Sequence, residues 1–110
     1  MKVRFYETAA GRSPVEVFLS DCSQDIRGDF YDAVELLKKG QILTMPLSRN
    51  LSSIYPGLHE LRLKDRYGIF RFFYFIKKGE AIYMVHSFSK KTREIPRREI
   101  KLILKRLKEV

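Results

Sequence analysis

The alternation of apolar and polar positions is strongest between Leu58 and Lys91, where three apolar runs are divided by two turn signals, Lys64-Asp65-Arg66-Tyr67-Gly68 and Lys77-Lys78-Gly79-Glu80. Each run is rich in Leu, Ile, Val, Phe and Tyr, which predicts three consecutive antiparallel strands joined by two hairpins. The middle run, Ile69 to Ile76, is apolar at every position except Arg71. A strand apolar on both faces belongs in the centre of a sheet, and a guanidinium inside it has to be paired or used.

Residues directly opposite each other on paired strands share a face, so loop lengths imply a register. A two-residue loop at Lys78-Gly79 pairs Lys77 with Glu80 and puts Arg71 opposite His86. In the first hairpin, a two-residue loop at Asp65-Arg66 puts Glu60 opposite Arg71, whereas a four-residue loop reaching Gly68 puts Arg62 there. Both versions gather Glu60, Arg62, Lys64, Arg71 and His86 on one face. They leave Leu61, Leu63, Phe70, Phe72, Tyr74, Tyr83 and Val85 to form the core side, where His59 also falls. A three-residue loop in either hairpin breaks this alignment.

Upstream, Lys2 to Glu7 reads as a short strand in which Val3 and Phe5 alternate with Lys2, Arg4 and Tyr6. Ser13-Pro14-Val15-Glu16 carries a helix start, with Ser as N-cap, Pro at the first helical position and Glu completing a capping box. That first helix ends near Asp21. A second, from about Ser23 to Lys39, has Ile26, Phe30, Val34 and Leu37 along one side and Gly40 at the position of a helix C′ glycine. Asp25, Asp29, Asp32 and Glu35 form its solvated side. Residues 41–57 hold two prolines, three serines and an asparagine and read as a connecting loop with at most a turn of structure. After the meander a basic loop, Ser89 to Glu94, leads to a helix from Pro96. Its apolar stripe is Ile100, Ile103, Leu104 and Leu107.

The chain has 110 residues, the size of one domain. No apolar run approaches a membrane span, and residues 1–10 lack the apolar core of a signal peptide. With a single cysteine, Cys22, an internal disulfide is excluded, and the expected setting is a reducing cytoplasm. Charge is unevenly placed. Residues 1–57 carry seven Lys/Arg and seven Asp/Glu, whereas residues 58–110 carry 15 and six and so hold the whole net charge of +9. A polyanion or an acidic protein is the partner this implies, although Lys and Arg also serve simply to solubilise an exposed helix.

On RNA, the ribose 2′-hydroxyl can attack the adjacent phosphodiester without a metal, given a base near the hydroxyl, cations around the phosphorane-like transition state and an acid near the leaving oxygen. Glu60 or His86 suits the base, and charged His86 the acid. Arg62 and Arg71 suit bidentate contacts to phosphate oxygens. Lys90 and Lys91 follow the last strand at the edge of the same face. The plainer alternative is a cross-strand ion pair between Glu60 and Arg71 and a satisfied histidine at position 86. Metal-ligand, P-loop and dinucleotide glycine patterns are missing from the sequence, so no metal or cofactor is expected.

The order strand, two helices, three-strand meander and helix, together with Leu58-His59-Glu60-Leu61-Arg62, Ile69-Phe70-Arg71-Phe72-Phe73-Tyr74, His86 to Thr92 and Ile95 to Ile100, resembles the phage-related HigB-like toxins of the RelE/ParE superfamily. The resemblance extends over essentially the whole chain. It implies an α+β RelE-like domain acting as the toxin of a type II toxin–antitoxin pair: a ribosome-dependent mRNA endoribonuclease silenced by a cognate antitoxin, here expected to be acidic and of the helix-turn-helix type. By motif it places Glu60, Arg62, Arg71, His86 and Lys91 in the catalytic group. Lys64, Arg66, Lys90, Arg93 and Arg97 are the basic residues expected to meet RNA. Such sites lie on an exposed sheet face. Two departures stand out: Arg97 occupies the place of a RelE tyrosine, and Ile95 that of a threonine common in relatives. The same fold also suits a ParE-like inhibitor that binds DNA gyrase without cleaving anything, or an inactive antitoxin-binding regulator.

Overall fold

A computed structural model describes residues 1–89 and 94–110. The protein is α+β, with strand β1 (Val3–Phe5), helices α1 (Pro14–Ser20) and α2 (Gln24–Lys38), strands β2 (Ser48–Asn50), β3 (Leu58–Asp65), β4 (Gly68–Lys77) and β5 (Ala81–Ser89), and helix α3 (Arg97–Leu107). The strands form one sheet in the order β1-β5-β4-β3-β2. Only the β1–β5 pairing is parallel. The ten-residue β4, the most apolar strand, is central, as an arginine-bearing strand with two apolar faces requires.

Local chemistry starts both N-terminal helices. Ser13 Oγ accepts from the Glu16 amide, with Pro14 in the first turn. Ser23 Oγ accepts from the Ile26 amide at 3.2 Å while donating to Asp65 Oδ2 at 2.8 Å, which ties α2 to the β3–β4 turn. In that turn Asp65 Oδ1 accepts from the Tyr67 and Gly68 amides, an Asx turn that closes the hairpin. Asp65 lies opposite Gly68 and Arg62 opposite Arg71, so the register is that of the longer loop.

The two faces of the sheet carry separate cores. Helices α1 and α2 bury Val15, Leu19, Ile26, Phe30, Val34 and Leu37 against Leu61, Leu63, Phe72, Tyr74, Ile82 and Met84. On the other face, α3 brings Ile103 and Leu107 onto Leu58, Phe73, Val85 and Phe88. Tyr83 and Val85 therefore belong to the α3 face, not to the α1/α2 core predicted for them. The reason is a three-residue loop: Lys77 pairs with Ala81, not Glu80, which exchanges the faces of the first half of β5. A β-bulge then exchanges them back. Tyr74 pairs with Met84 but Phe73 pairs with His86, leaving Val85 as the extra residue. Thus His86 shares a face with Arg71 as expected, through two compensating shifts, but lies opposite Phe73. Phe88 takes the place opposite Arg71.

The predicted loop 41–57 contains a strand the sequence does not signal. Ser48–Asn50 pairs antiparallel with Leu61–His59, placing Arg49 opposite Glu60. It is anchored by Ser48, whose hydroxyl meets the Tyr74 hydroxyl at 2.6 Å on the α1/α2 face. Among the described residues, no helix is long and apolar enough to cross a membrane.

Candidate functional site

Strand pairing sets two rows of side chains across the α3 face. One runs Arg49, Glu60, Phe73, His86 from β2 to β5, and the next runs Arg62, Arg71, Phe88 from β3 to β5. The polar members fall into two groups separated by aromatic rings. Phe73 stacks on Phe88 at 5.5 Å between ring centres, and His86 tilts against both. Glu60 and His86 lie two strands apart, roughly 10 Å by strand spacing. A single proton-relay row from Glu60 to His86 is therefore not what the fold builds.

The first group is a guanidinium cluster on one carboxylate. Arg49 Nη2 lies 3.1 Å and Arg62 Nε 4.0 Å from Glu60 Oε1, and Arg71 Nε lies 3.6 Å from Oε2. Three strands supply these four residues, so the cluster is pinned by sheet register. Glu60 and Arg71 are both completely buried, whereas the side chains of Arg62 and Arg49 remain 26% and 36% exposed. The buried pair faces inward and the other two arginines face water. Arg62 and Arg71 are direct cross-strand neighbours of like charge, an arrangement that costs free energy unless a carboxylate lies between them. Burial lowers the Arg71 pKa, Glu60 opposes that shift, and Arg62 and Arg49 add to it. Arg71 Nη1 also lies 3.5 Å from the Glu94 carbonyl, and its guanidinium sits 5.8 Å from the centre of the Phe88 ring.

Three cations around one anion leave an excess of two positive charges. Neither oxygen of Glu60 has a well-aligned hydrogen bond, and Arg49 Nε, though buried, donates to no described residue. The cluster is held by Coulomb attraction with donor capacity in reserve, a suitable environment for a phosphate oxygen.

The second group belongs to α3. Arg106 Nη1 donates to His86 Nδ1 at 2.9 Å and to the Val85 carbonyl at 2.9 Å, using the acceptor that the bulge leaves outside the ladder. Because a guanidinium only donates, Nδ1 is the acceptor and Nε2 carries the hydrogen, which it donates to Glu99 Oε1 at 2.6 Å. Both ring nitrogens of His86 are therefore engaged, and the residue is 5% exposed. Burial pushes the His86 pKa below 6.5; the Glu99 hydrogen bond opposes this and the charge of Arg106 reinforces it. Burial raises the Glu99 pKa, but His86 and Arg98 outweigh it and hold the carboxyl below its usual range. In this arrangement His86 is neutral and locked to α3, which disfavours the expected role of a charged acid meeting substrate. Helix α3 covers the sheet over His86.

The remaining expected residues are dispersed. Lys64 is exposed on the same face near the end of β3, and Arg66 stands at the β3–β4 turn, 4.9 Å from the centre of the Tyr67 ring. Arg97 is exposed in the first turn of α3, whose cap position is Pro96 and whose first turn has no side-chain cap. Lys90, Lys91 and Arg93 lie outside the described residues. His59 stacks on Tyr74 at 5.1 Å on the α1/α2 face, away from the cluster, and burial lowers its pKa. Arg49 is the member that sequence reasoning passes over. Its signal, a lone cation in a serine- and proline-rich stretch, becomes legible only once β2 is paired with β3.

No curated protein matches the chain. The family model described as Phage derived protein Gp49-like matches residues 17–108, from the middle of α1 to the end of α3, and takes in every residue of both polar groups. The chain belongs to this Gp49-like family of phage-derived proteins.

Proposed function

We propose that the protein is the toxin of a toxin–antitoxin pair, acting as a metal-independent endoribonuclease on mRNA held by the ribosome. The observation that carries this reading is the cluster of Arg49, Arg62 and Arg71 around Glu60, with two of its arginine side chains partly exposed. The resemblance to HigB-like members of the RelE/ParE superfamily, carried by the Glu60-Leu61-Arg62 and Arg71 strands, supports it. In this reading a scissile phosphate lies against Arg62 and Arg49, and Arg71 stabilises the developing charge from behind them. Glu60, drawn off its arginines as the phosphate takes them over, takes the proton of the 2′-hydroxyl as that oxygen bonds to phosphorus, and the 5′-oxygen leaves with a proton from water, giving a 2′,3′-cyclic phosphate. Lys90 and Lys91 complete the cationic surround. His86 acts through α3, holding that helix in place beside the site. A site so poor in free acid–base groups depends on the ribosome to align its substrate, because orientation supplies much of the barrier reduction. The acidic antitoxin would cover the basic half of the molecule.

The test is primer extension on mRNA in programmed ribosomes with wild type and Arg71→Ala. A new cut in the A-site codon that the variant loses supports the nuclease. An intact message with growth arrest on expression defeats it. The complete burial of Glu60 and the engagement of His86 favour one alternative in that case, a non-cleaving toxin that binds DNA gyrase in the manner of ParE.

A further inference from the structure

Beside the arginine cluster, towards the β2 edge, runs an open cleft lined by Arg49, Leu51, Ser53, Ile54, Glu94, Ile95 and Ile100. Its walls come from the segment after β2 and from residues 94–100 around the start of α3, and they combine four aliphatic side chains with Ser53 and the Glu94 carboxylate. Its charged inner end is the guanidinium of Arg49, which stands 3.1 Å from the buried Glu60 carboxylate. A surface that joins aliphatic side chains to a partly exposed, partly unused guanidinium fits a ligand with a flat apolar face and an attached anion. A nucleotide has that chemistry, since unstacked bases are taken up by apolar and planar side chains while their phosphate meets arginine.

We infer that this cleft is a single-nucleotide subsite, in which Arg49 holds the phosphate and Ile54, Ile95 and Ile100 enclose the base of the adjoining ribonucleotide. The inference rests on the reading that the protein acts on RNA, and it adds a residue and a direction to it. RNA enters at the β2 edge of the sheet, past the start of α3, and not over His86. Three features select Arg49 as the phosphate ligand. It is more exposed than Arg62 and far more so than Arg71, its Nε donates to no described residue, and it lines both the cluster and the cleft. Glu60 then has a second task as a positioning residue in the free protein, gathering the Arg49 and Arg62 guanidiniums at one carboxylate oxygen until an incoming phosphate takes them over.

The experiment is an NMR titration of the whole chain with each of the four ribonucleoside 3′-monophosphates and with inorganic phosphate, run beside ribosome-dependent cleavage. Wild type is expected to show saturable shifts at residues 49–54 and 95–100, with nucleotides binding more tightly than phosphate. Arg49→Gln weakens nucleotide and phosphate alike by about tenfold, and Arg49→Lys recovers only part of the loss. Ile100→Trp, which fills the cleft, excludes nucleotides and leaves phosphate binding intact. Thermal denaturation of each variant separates these effects from loss of the fold. Shifts clustered elsewhere, or nucleotide binding no tighter than phosphate and indifferent to Ile100→Trp, overturn the subsite. If wild type cuts mRNA and folded Arg49→Gln cuts it equally fast, the subsite is wrong and the nuclease stands. If nucleotides bind in the cleft but no message is cut, the subsite stands and the nuclease falls.

Discussion

Glu60 shows how much one residue can demand of its neighbours. A carboxylate removed from water is costly unless it is paired, and here three arginines from three strands share it. Removing the carboxylate leaves the fully buried Arg71 facing Arg62 and Arg49 with no counter-charge from Glu60. Glu60→Ala is accordingly expected to lower stability by about 3–5 kcal/mol, measured by urea denaturation. A neutral effect would mean the cluster opens to water in solution. A second expectation concerns pH. His86 and His59 both have pKa values below 6.5 in the folded protein. Just below 6.5 the unfolded chain binds protons that the native state refuses, so stability rises with pH there and is lost on acidification. For His86 the cause is concrete, since protonating Nδ1 sets a cation against Arg106 at 2.9 Å. The urea midpoint should fall from pH 7.5 to pH 5.5, and His86→Gln should flatten much of that slope, leaving the part due to His59. A midpoint independent of pH in wild type would contradict the neutral, α3-locked histidine.

At the scale of elements, Gly57 governs the step from the β2 segment into β3. Its φ of +92° lies in the left-handed region, and a Cβ there would sit 2.9 Å from the Ile76 carbonyl oxygen and from the Phe75 ring. Backbone cannot yield as a side-chain tip can, and the Gly57 carbonyl already accepts from the Ile76 amide at 2.9 Å. Gly57→Ala should therefore cost more than the ~1 kcal/mol of an ordinary left-handed glycine, seen as a lower melting temperature, whereas Gly79→Ala, with open space around it, should not exceed that figure. What the sequence shows at this scale is uneven for physical reasons. Both N-terminal helices are written in their caps, and α3 in its apolar stripe. The hairpins are visible because strong turn formers interrupt apolar runs. Strand β2 is not, since three residues, Ser-Arg-Asn, carry no alternation and are held by pairing with β3, by the Ser48–Tyr74 contact and by the Arg49–Glu60 ion pair. The bulge at Val85 is equally silent, because its position follows from packing against α3 and from Arg106 binding the freed carbonyl. So the face of Glu60, Arg62 and Arg71 can be read from alternation. The division of that face by Phe73 and Phe88, the burial of Glu60, and the inclusion of Arg49 depend on tertiary contacts that periodicity does not encode.

The whole molecule is electrically lopsided in a way that the fold sharpens. Asp25, Asp29, Asp32 and Glu35 ride on α2, on one side of the sheet, while α3 on the other side exposes Arg97, Arg98, Lys101, Lys105 and Lys108. The arginine cluster opens on that same basic side. Burial of Ile103 and Leu107 fixes which side of α3 faces outward, so the cationic ridge is a consequence of packing and not only of composition. On the proposed reading, a single-stranded RNA reaching Arg49 and Arg62 passes through this field. Such binding releases counterions, and the logarithm of its affinity falls linearly with the logarithm of salt concentration, by about 0.7 per phosphate neutralised. Lys101→Glu with Lys105→Glu and Lys108→Glu should reduce that slope and weaken binding to a short RNA. It should leave the melting temperature nearly unchanged, since these side chains touch no buried partner among the described residues. Association measured between 50 and 300 mM salt separates the possibilities. A slope that the triple variant preserves would confine RNA contact to the β2 edge and make the α3 ridge the place for an acidic protein instead. A slope that drops with it would show that the ridge and the arginine cluster attract one continuous polyanion, in which case an acidic antitoxin could silence the toxin by occupying the ridge alone.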